Sequence, residues 1–334
     1  MPLSPRITLA AMLLCTAFYA TLPAHGAGVV PENGDIITIA TPNVSPPVDY
    51  VTLVRIKPAT GALDSICHLP SGNAPLAITV APTNGLIYVI GKTSLYRVDP
   101  CTGAIATVTS GGLLSPLPPI VKILAHSNGS LYVTRGTSPN GVIRIDPVTG
   151  VQSLLANPFT SFSVSPMGLT EGPDHMLYVS TVGASGASTP SMIRIDPVSG
   201  AMTVVASGLG NGSVRDPAFD TRDSLFVIRI SAPTSVHRVN LITGAIGQLT
   251  SFSVVTTFYG NMAGHPDGGL YFPGSPSTGL NAMYRLDPVF LSVTAVSPLQ
   301  SVVGFLTVAV MRGYGSCPTP VNRTTWGQIK LRYR

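Results

Sequence analysis

The sequence has little charge, little glutamate and few sulfur ligands. Charged residues make up 10% of the 334 residues, and glutamate occurs only at Glu32 and Glu171, which gives a paired-carboxylate hydrolase site little support. No Cys-x-x-Cys spacing, Gly-x-Ser-x-Gly motif or phosphate-binding glycine loop occurs, which argues against cysteine-bound zinc, a nucleophile-elbow serine enzyme and a nucleotide site. No helical periodicity extends beyond a turn or two before the last dozen residues. Glycine and proline are abundant, at 34 and 31 residues, and together these two observations indicate an all-β chain of short strands.

The amino-terminal segment, residues 1–26, has the composition of a secretory signal peptide. Arg6 precedes an apolar run, and Ala24 and Gly26 occupy the −3 and −1 positions of a cleavage site before Ala27. No later apolar run is long enough to span a bilayer. We therefore expect a secreted protein of the bacterial periplasm, cell surface or extracellular space. Sequons such as Asn43-Val44-Ser45 and Asn211-Gly212-Ser213 leave a eukaryotic secretory route open.

Six copies of one motif organise the rest of the chain. The best-kept copy is VIRIDPVTG, Val142–Gly150, and the copies start at Leu53, Leu95, Val142, Met192, Val236 and Met283. Their arginines are separated by 42, 47, 50, 44 and 47 residues. This is the period of the four-stranded blade of a β-propeller.

Each copy combines a strand with a hairpin turn. The alternation from Val142 to Ile145 predicts the strand, and Asp146, Pro147 and Gly150 have the chemistry of the turn. A second Asn- or Asp-containing turn precedes an apolar strand in every unit; these strands begin at Ile36, Ile87, Leu131, Leu177, Leu225 and Leu270. A blade is therefore predicted as an inner strand, this second turn, the apolar strand, the arginine strand and an outer strand.

The pattern predicts an all-β, six-bladed β-propeller over residues 27–312, followed by a tail over residues 313–334. The first blade lacks an inner strand at the amino end, whereas Val303–Val310 is an inner strand without a following turn marker. We expect it to pair with Ile36–Ala40, so that the closing blade is made from both chain ends and no sheet edge stays open.

These units resemble those of six-bladed propellers in the broad group that holds NHL-repeat proteins, streptogramin lyases and gluconolactonase-like proteins. The resemblance covers about residues 30–312 and rests on the repeated arginine strand, its Asp-Pro turn and the apolar strand before it. It implies the propeller fold. It also brings in one candidate activity, that of a lyase or lactonase.

Charge separates the propeller from the tail. Of the 19 Lys and Arg residues, five lie in the signal peptide or the tail, which leaves 14 against all 14 acidic residues, so the propeller body is neutral and no nucleic-acid partner is expected. The tail, Cys317–Arg334, resembles the short endings of some secreted bacterial repeat proteins, and Thr324 or Thr325 is a candidate cap for a short helix. Two interpretations stay open, a sorting or docking element and a frayed end.

Three cysteines remain after the predicted cleavage, Cys67, Cys101 and Cys317. Cys101 lies in a hairpin turn and Cys317 just past the closing strand, and these positions share a rim of a propeller. We therefore expect a disulfide between Cys101 and Cys317, with Cys67 a buried free thiol in an outer strand.

Ligand sites of propellers lie at the central channel, which the inner strands line. Aligned on their turns, these strands place polar residues in two rows four residues apart. The first row contains Lys122, Asp216 and Asn261, and the second contains His126, Asp220 and His265. Such a ring has the donors for a divalent cation or an acid and a base, although no specific metal motif occurs. The other interpretation is turn-forming residues at strand ends.

Two functions follow. The first is a secreted binding or scaffold propeller, not an enzyme, that holds a protein or carbohydrate at a rim loop such as Ser110–Pro119 or Gly183–Ser191. The alternative is a metal-dependent lyase or lactonase that acts at the central channel. The sequence does not identify the ligand or substrate.

Overall fold

The structure, a computed structural model, describes residues 31–42, 51–70, 75–111, 122–136, 141–156, 164–183, 190–208, 213–230, 234–252, 257–258, 261–275, 282–297 and 303–311. The predicted signal peptide, the tail with Cys317, and most of the loops Ser110–Pro119 and Gly183–Ser191 lie outside these residues.

The described residues form strands and turns, and no helix occurs among them. The strands of the first half are β1 (Ile36–Pro42), β2 (Val51–Ile56), β3 (Leu63–Leu69), β4 (Pro75–Val80), β5 (Ile87–Gly91), β6 (Ser94–Val98), β7 (Ile105–Ser110), β8 (Ile123–Ala125), β9 (Leu131–Arg135), β10 (Gly141–Ile145), β11 (Gln152–Ala156) and β12 (Val164–Glu171). Those of the second half are β13 (Leu177–Gly183), β14 (Ser191–Ile195), β15 (Met202–Ser207), β16 (Ser213–Phe219), β17 (Leu225–Ile230), β18 (Thr234–Val239), β19 (Ile246–Phe252), β20 (Thr257–Phe258), β21 (Ala263–Gly264), β22 (Leu270–Ser275), β23 (Ala282–Leu286), β24 (Val293–Ala295) and β25 (Val303–Val310).

The strands form six antiparallel sheets arranged as the blades of a ring. Blades 2 to 5 are β4–β7, β8–β11, β12–β15 and β16–β19, each in sequence order, and blade 6 is β20–β24 with its inner strand divided into β20 and β21. The inner strands contact one another in the order β25, β4, β8, β12, β16, β21 and again β25. The chain is therefore a six-bladed β-propeller, as the repeats predict.

Blade 1 contains strands from both ends of the described chain. Its order is β25-β1-β2-β3, and β25 pairs antiparallel with β1 so that Ile36 is opposite Val310 and Ala40 is opposite Phe305. This is the pairing expected between Val303–Val310 and Ile36–Ala40. The antiparallel order puts the inner turn and the Asp-Pro turn of each blade at the same end, which we call the turn rim.

The Asp-Pro turn has the same hydrogen bonds in successive blades. Asp146 Oδ1 accepts hydrogen bonds from the backbone N–H groups of Val148 at 2.8 Å and Thr149 at 2.9 Å, and Gly150, with φ +71°, donates to the Asp146 carbonyl at 2.9 Å. A Cβ on Gly150 would lie 2.4 Å from the carbonyl oxygen of Val108 in the preceding blade. Glycine is thus required both by the backbone conformation and by the contact between blades.

The hydrophobic core lies between the blades rather than inside one sheet. Leu131 and Val133 of β9 pack against Tyr88 and Ile90 of blade 2. Tyr132, between them in sequence, belongs instead to the cluster shared with blade 4. Because consecutive side chains of a strand point to opposite faces, each blade is apolar on both faces and is buried by its two neighbours.

Candidate functional site

The first predicted row occupies one level of the inner strands. The strand register puts Lys122, Asp216 and Asn261 at this level, together with residues that the turn alignment did not single out. These are Thr307 on β25, Ala77 on β4 and Gly168 on β12. Thr307 was missed because no turn marker follows its strand.

Lys122 and Asp216 form an ion pair across two inner strands. Lys122 Nζ lies 2.7 Å from Asp216 Oδ1, and the two side chains are 12% and 0% exposed. Burial raises the pKa of the Asp216 carboxyl and lowers the pKa of the Lys122 amine, and the attraction between the two charges opposes both changes. Asp216 Oδ2 is buried and accepts no hydrogen bond from the described residues.

A bulge in β16 brings Asp216 to this position. The register of β16 and β17 shifts between Arg215 and Ala218, and Asp216 has φ +52°. The preceding blade provides space for the bulge, because a Cβ on Gly168 would lie 2.6 Å from the Asp216 nitrogen and 2.3 Å from Pro217 Cδ. The pair thus depends on glycine at position 168.

Asn261 joins blade 6 to blade 1. Its Oδ1 accepts hydrogen bonds from Thr307 Oγ1 and from the Val308 N–H, both at 2.6 Å, and its Nδ2 donates to the Val308 carbonyl at 2.7 Å. The side-chain amide, beside the gap between β20 and β21, therefore bonds to the backbone of the inner strand in the neighbouring blade.

The second predicted row consists of residues that organise the turns. His126 and His265 each place Nε2 against a carbonyl of the next blade, that of His175 at 3.0 Å and that of Gly34 at 2.5 Å. Because a carbonyl oxygen only accepts, Nε2 carries the proton in both rings. Nδ1 of each ring faces the backbone N–H two residues on, and Nδ1 of His265 also lies 2.8 Å from Asp267 Oδ1. Asp220 Oδ1 accepts the N–H groups of its own turn. No contact joins these three side chains to one another.

A cavity of about 170 Å³ lies directly above the first row and is lined by all six inner strands. Most of the residues that line it are apolar, and Glu171 is among the polar ones. Glu171 accepts hydrogen bonds from the Ser127 N–H at 3.0 Å, from Ser127 Oγ and from His175 Nδ1 at 2.9 Å. Burial opposes ionisation of Glu171, but the bonds from Ser127 and His175 outweigh it and lower the pKa of the carboxyl.

The six predicted site residues do not assemble a metal centre. In the part of the chain that the structure describes, no group of three His, Cys, Asp or Glu side chains is close enough to hold a cation. The first row is joined in pairs, and the second row bonds to separate turns. The arrangement of these six side chains therefore does not fit the divalent cation that the alignment of the inner strands allowed.

The cysteines divide into one bonded and one free residue. Cys101, in the Asp-Pro turn of blade 2, is disulfide-bonded to a cysteine outside the described residues. Cys67, on β3, is a half-buried free thiol, and burial raises its pKa to about 12. The predicted Cys101–Cys317 pairing stays a prediction.

No protein-family model and no curated protein sequence matches this chain. Its fold is similar to that of several solved structures. A chain of a nidogen/laminin complex has a TM-score of 0.64 at 12% identity, covering 84% of this chain and 100% of that chain. TolB from Acinetobacter baumannii has a TM-score of 0.61 at 15% identity, covering 92% of this chain and 74% of that chain.

An enzyme is among the similar structures. A catalytically inactive virginiamycin B lyase from Staphylococcus aureus, solved with quinupristin, has a TM-score of 0.50 at 16% identity and covers 69% of this chain and 72% of that chain. At such low identities the similarities show the fold alone. As for membrane spans, the described residues contain no helix long and apolar enough to cross a bilayer. This chain is a six-bladed β-propeller, consistent with the broad group that its repeats resemble.

Proposed function

We propose that this chain is a secreted binding or scaffold propeller that engages a protein partner through its turn rim. One observation carries the proposal. The tips of the Asp-Pro turns expose large apolar side chains: Val148 is 86% exposed, Val198 79%, Ile242 95% and Phe290 81%. All four lie on the same rim, in four consecutive blades.

The fold does not require apolar residues at these tips. In the turn of blade 4, Asp196 Oδ1 accepts the backbone N–H of Val198 at 2.7 Å, so the residue at the tip contributes its main chain while its side chain faces solvent. A serine or lysine would make the same backbone bond. Exposed aliphatic and aromatic side chains repeated on one rim are typical of a protein interface.

The chemistry of the tips favours a protein over a carbohydrate. Valine, isoleucine and phenylalanine offer no hydrogen-bonding group, whereas sugar hydroxyls need donors and acceptors. An apolar protein surface gains free energy in proportion to the area that it buries against such tips, about 25 cal/mol per Å². The partner is therefore proposed to present an apolar surface wide enough to reach several turns.

Site-specific photo-crosslinking tests the surface. The photoreactive residue p-benzoylphenylalanine replaces Val198 at a tip or, as the control, Val204 on the outer strand β15, which is also exposed. The proposal expects one protein adduct of fixed mass from the tip position and none from Val204. Equal labelling at both positions, or an adduct that resists protease and contains only sugar, contradicts it.

The central cavity supports a second candidate, an enzyme of the lyase or lactonase type acting at the channel. The specific observation is the buried Asp216 Oδ2, which accepts no hydrogen bond from a described residue below the cavity. Hydrolysis or elimination of a lactone library by the purified protein, lost in Asp216→Asn, would favour this candidate. Unchanged turnover in that variant would remove it.

Secretion and the tail complete the proposal. Residues 1–26 are proposed to be removed before Ala27, and the tail, Cys317–Arg334, to be a sorting or docking element. A chain truncated after Pro318 keeps Cys317 and tests the tail separately. The proposal expects normal melting and lost localisation. Normal localisation contradicts it, and the deletion of residues 7–20 serves as the control for export.

A further inference from the structure

Two blades contain the same contact between an acid, a tyrosine and the repeat arginine. In blade 4, Asp174 Oδ2 accepts hydrogen bonds from Arg194 Nε at 2.8 Å and from the Tyr178 hydroxyl at 3.1 Å. In blade 6, Asp267 Oδ2 does the same with Arg285 Nε and the Tyr271 hydroxyl, both at 2.9 Å. The acid always stands three residues before the second strand of the blade, and it neutralises the guanidinium.

Blade 5 replaces two of these three residues. Arg222 stands three residues before β17, where the other blades have Asn or Asp, and Phe226 occupies the tyrosine position opposite Arg238. Arg238 donates instead to Ser224 Oγ at 2.9 Å. Neither Arg222 nor Arg238 makes an ion pair with a described residue. Two exposed guanidinium groups thus stand where blades 4 and 6 have one guanidinium that is paired with a carboxylate.

A pocket of about 590 Å³ lies between these arginines and the turn of blade 5 that begins at Asn240 and corresponds to the Asp-Pro turns of the other blades. Arg222, Arg238 and the Ser224 hydroxyl form its polar side. Leu241, Ile242 and Leu249 form an apolar side. Asp223 also lines the pocket, with φ +58°, and makes no ion pair with a described cation, so the pocket has an excess of one positive charge.

We propose that this pocket binds an organic carboxylate with an adjacent apolar group. Arginine donates two parallel N–H groups to a carboxylate, and the Ser224 hydroxyl lies within reach of the same anion. Leu241, Ile242 and Leu249 bury the apolar part of the ligand. The ligand replaces the counter-ion that Asp174 and Asp267 provide in blades 4 and 6. The pocket shares Ile242 with the apolar tips on which the proposed function rests, but Arg222, Arg238 and Ser224 are not tip residues, so substitutions at Arg222 test the pocket separately.

Calorimetric titration with two matched probes tests the ligand class. N-acetyl-L-leucine carries the carboxylate, and N-acetyl-L-leucinamide has the same apolar part without the charge. The proposal expects the acid to bind at least tenfold more tightly than the amide, and at least tenfold more tightly than acetate, which lacks the apolar group. Equal binding of acid and amide overturns the role of the arginines. Equal binding of acid and acetate overturns the apolar subsite.

A repeat-restoring substitution tests the location. Arg222→Asp recreates the carboxylate of blades 4 and 6 beside Arg238, so the variant is expected to fold and to bind N-acetyl-L-leucine at least tenfold more weakly. The matched control is Lys92→Asp, which makes the same charge change at an exposed position in blade 2. If Arg222→Asp reduces folding by circular dichroism, Arg222→Gln replaces it. Wild-type affinity in the folded Arg222 variant, or the same loss in Lys92→Asp, overturns the assignment.

Discussion

Lys122 Nζ lies 2.7 Å from Asp216 Oδ1 and so joins blade 3 to blade 5 across the centre of the ring. Both groups are buried, and each would lose its nearest opposite charge without the other. A buried ion pair of this kind adds little net stability compared with apolar residues of the same volume, but the loss of one partner is costly.

Lys122→Met is therefore expected to lower the free energy of unfolding by about 3–5 kcal/mol at neutral pH. Because burial raises the pKa of Asp216 above the 3.8 of the unfolded chain, the folded variant binds a proton that the unfolded chain releases. The loss should shrink as the pH falls through the raised pKa. Urea unfolding at about pH 8 and about pH 5 measures this difference.

The double variant Lys122→Met, Asp216→Leu is the control for that experiment. It removes both charges and should recover most of the stability at about pH 8, with no remaining dependence on pH between the two conditions. A single variant as stable as wild type at both pH values would contradict a buried, coupled pair.

The Asp-Pro turn of blade 6 departs from the repeat, because a strained leucine takes the place of its glycine. Leu291 has φ +56°, where the turns of the other blades have glycine. Leu291→Gly should therefore raise the free energy of unfolding by about 0.5–1 kcal/mol, after the entropy cost of glycine is subtracted. Thermal and urea unfolding measure the change. Leu291→Asn, which tolerates this conformation better than leucine does, should give part of the gain.

Gly150→Ala is the reverse experiment in blade 3. Its Cβ would lie 2.4 Å from the Val108 carbonyl, and the backbone has φ +71°, so the substitution should cost more than about 1 kcal/mol. If Leu291→Gly and Gly150→Ala both leave the free energy of unfolding nearly unchanged, the positive φ of these turns does not limit which residue can stand there.

The histidines of the second row are expected to act on stability rather than on metal binding. His126→Ala removes the N–H that Nε2 presents to the His175 carbonyl and should cost about 1–3 kcal/mol. The metal content of the purified protein, measured by mass spectrometry, should not change in His126→Ala, Asp220→Ala or His265→Ala. Stoichiometric metal lost in these variants contradicts the account and favours the channel enzyme.

The cysteine arrangement predicts a specific peptide map. Without reduction, the peptide that contains Cys101 should be joined to the one that contains Cys317, and Cys67 should react slowly with iodoacetamide because burial raises the pKa of its thiol to about 12. A map that joins Cys101 to Cys67, or rapid labelling of Cys67 in the folded protein, rules this arrangement out.

Much of the fold was predictable because the repeat encodes it locally. The Asp-Pro turn, its glycine and the alternation before it define two strands and their register, and six copies define the ring. The spacing also placed Lys122, Asp216 and Asn261 at one level of the channel. Their contacts were not predictable, since the ion pair depends on a bulge at Asp216 and on the space beside Gly168.

The blade 5 pocket illustrates the same limit. Arg222 is visible in the sequence as a departure from Asn or Asp, but its meaning depends on the contact of Asp174 with Arg194, which only the structure shows. Apolar tips such as Ile242 are likewise ordinary turn residues until their exposure and their common rim are known.

The most direct test of the account is the affinity of the crosslinked partner for a variant with four polar tips. Val148→Ser, Val198→Ser, Ile242→Ser and Phe290→Ser together keep every backbone bond of the turns. The control carries Val151→Ser, Leu154→Ser and Val204→Ser, which change exposed apolar residues outside the tips. The account predicts at least a hundredfold loss of affinity in the tip variant and less than a threefold change in the control. Equal affinities in the two variants would contradict recognition through the turn rim.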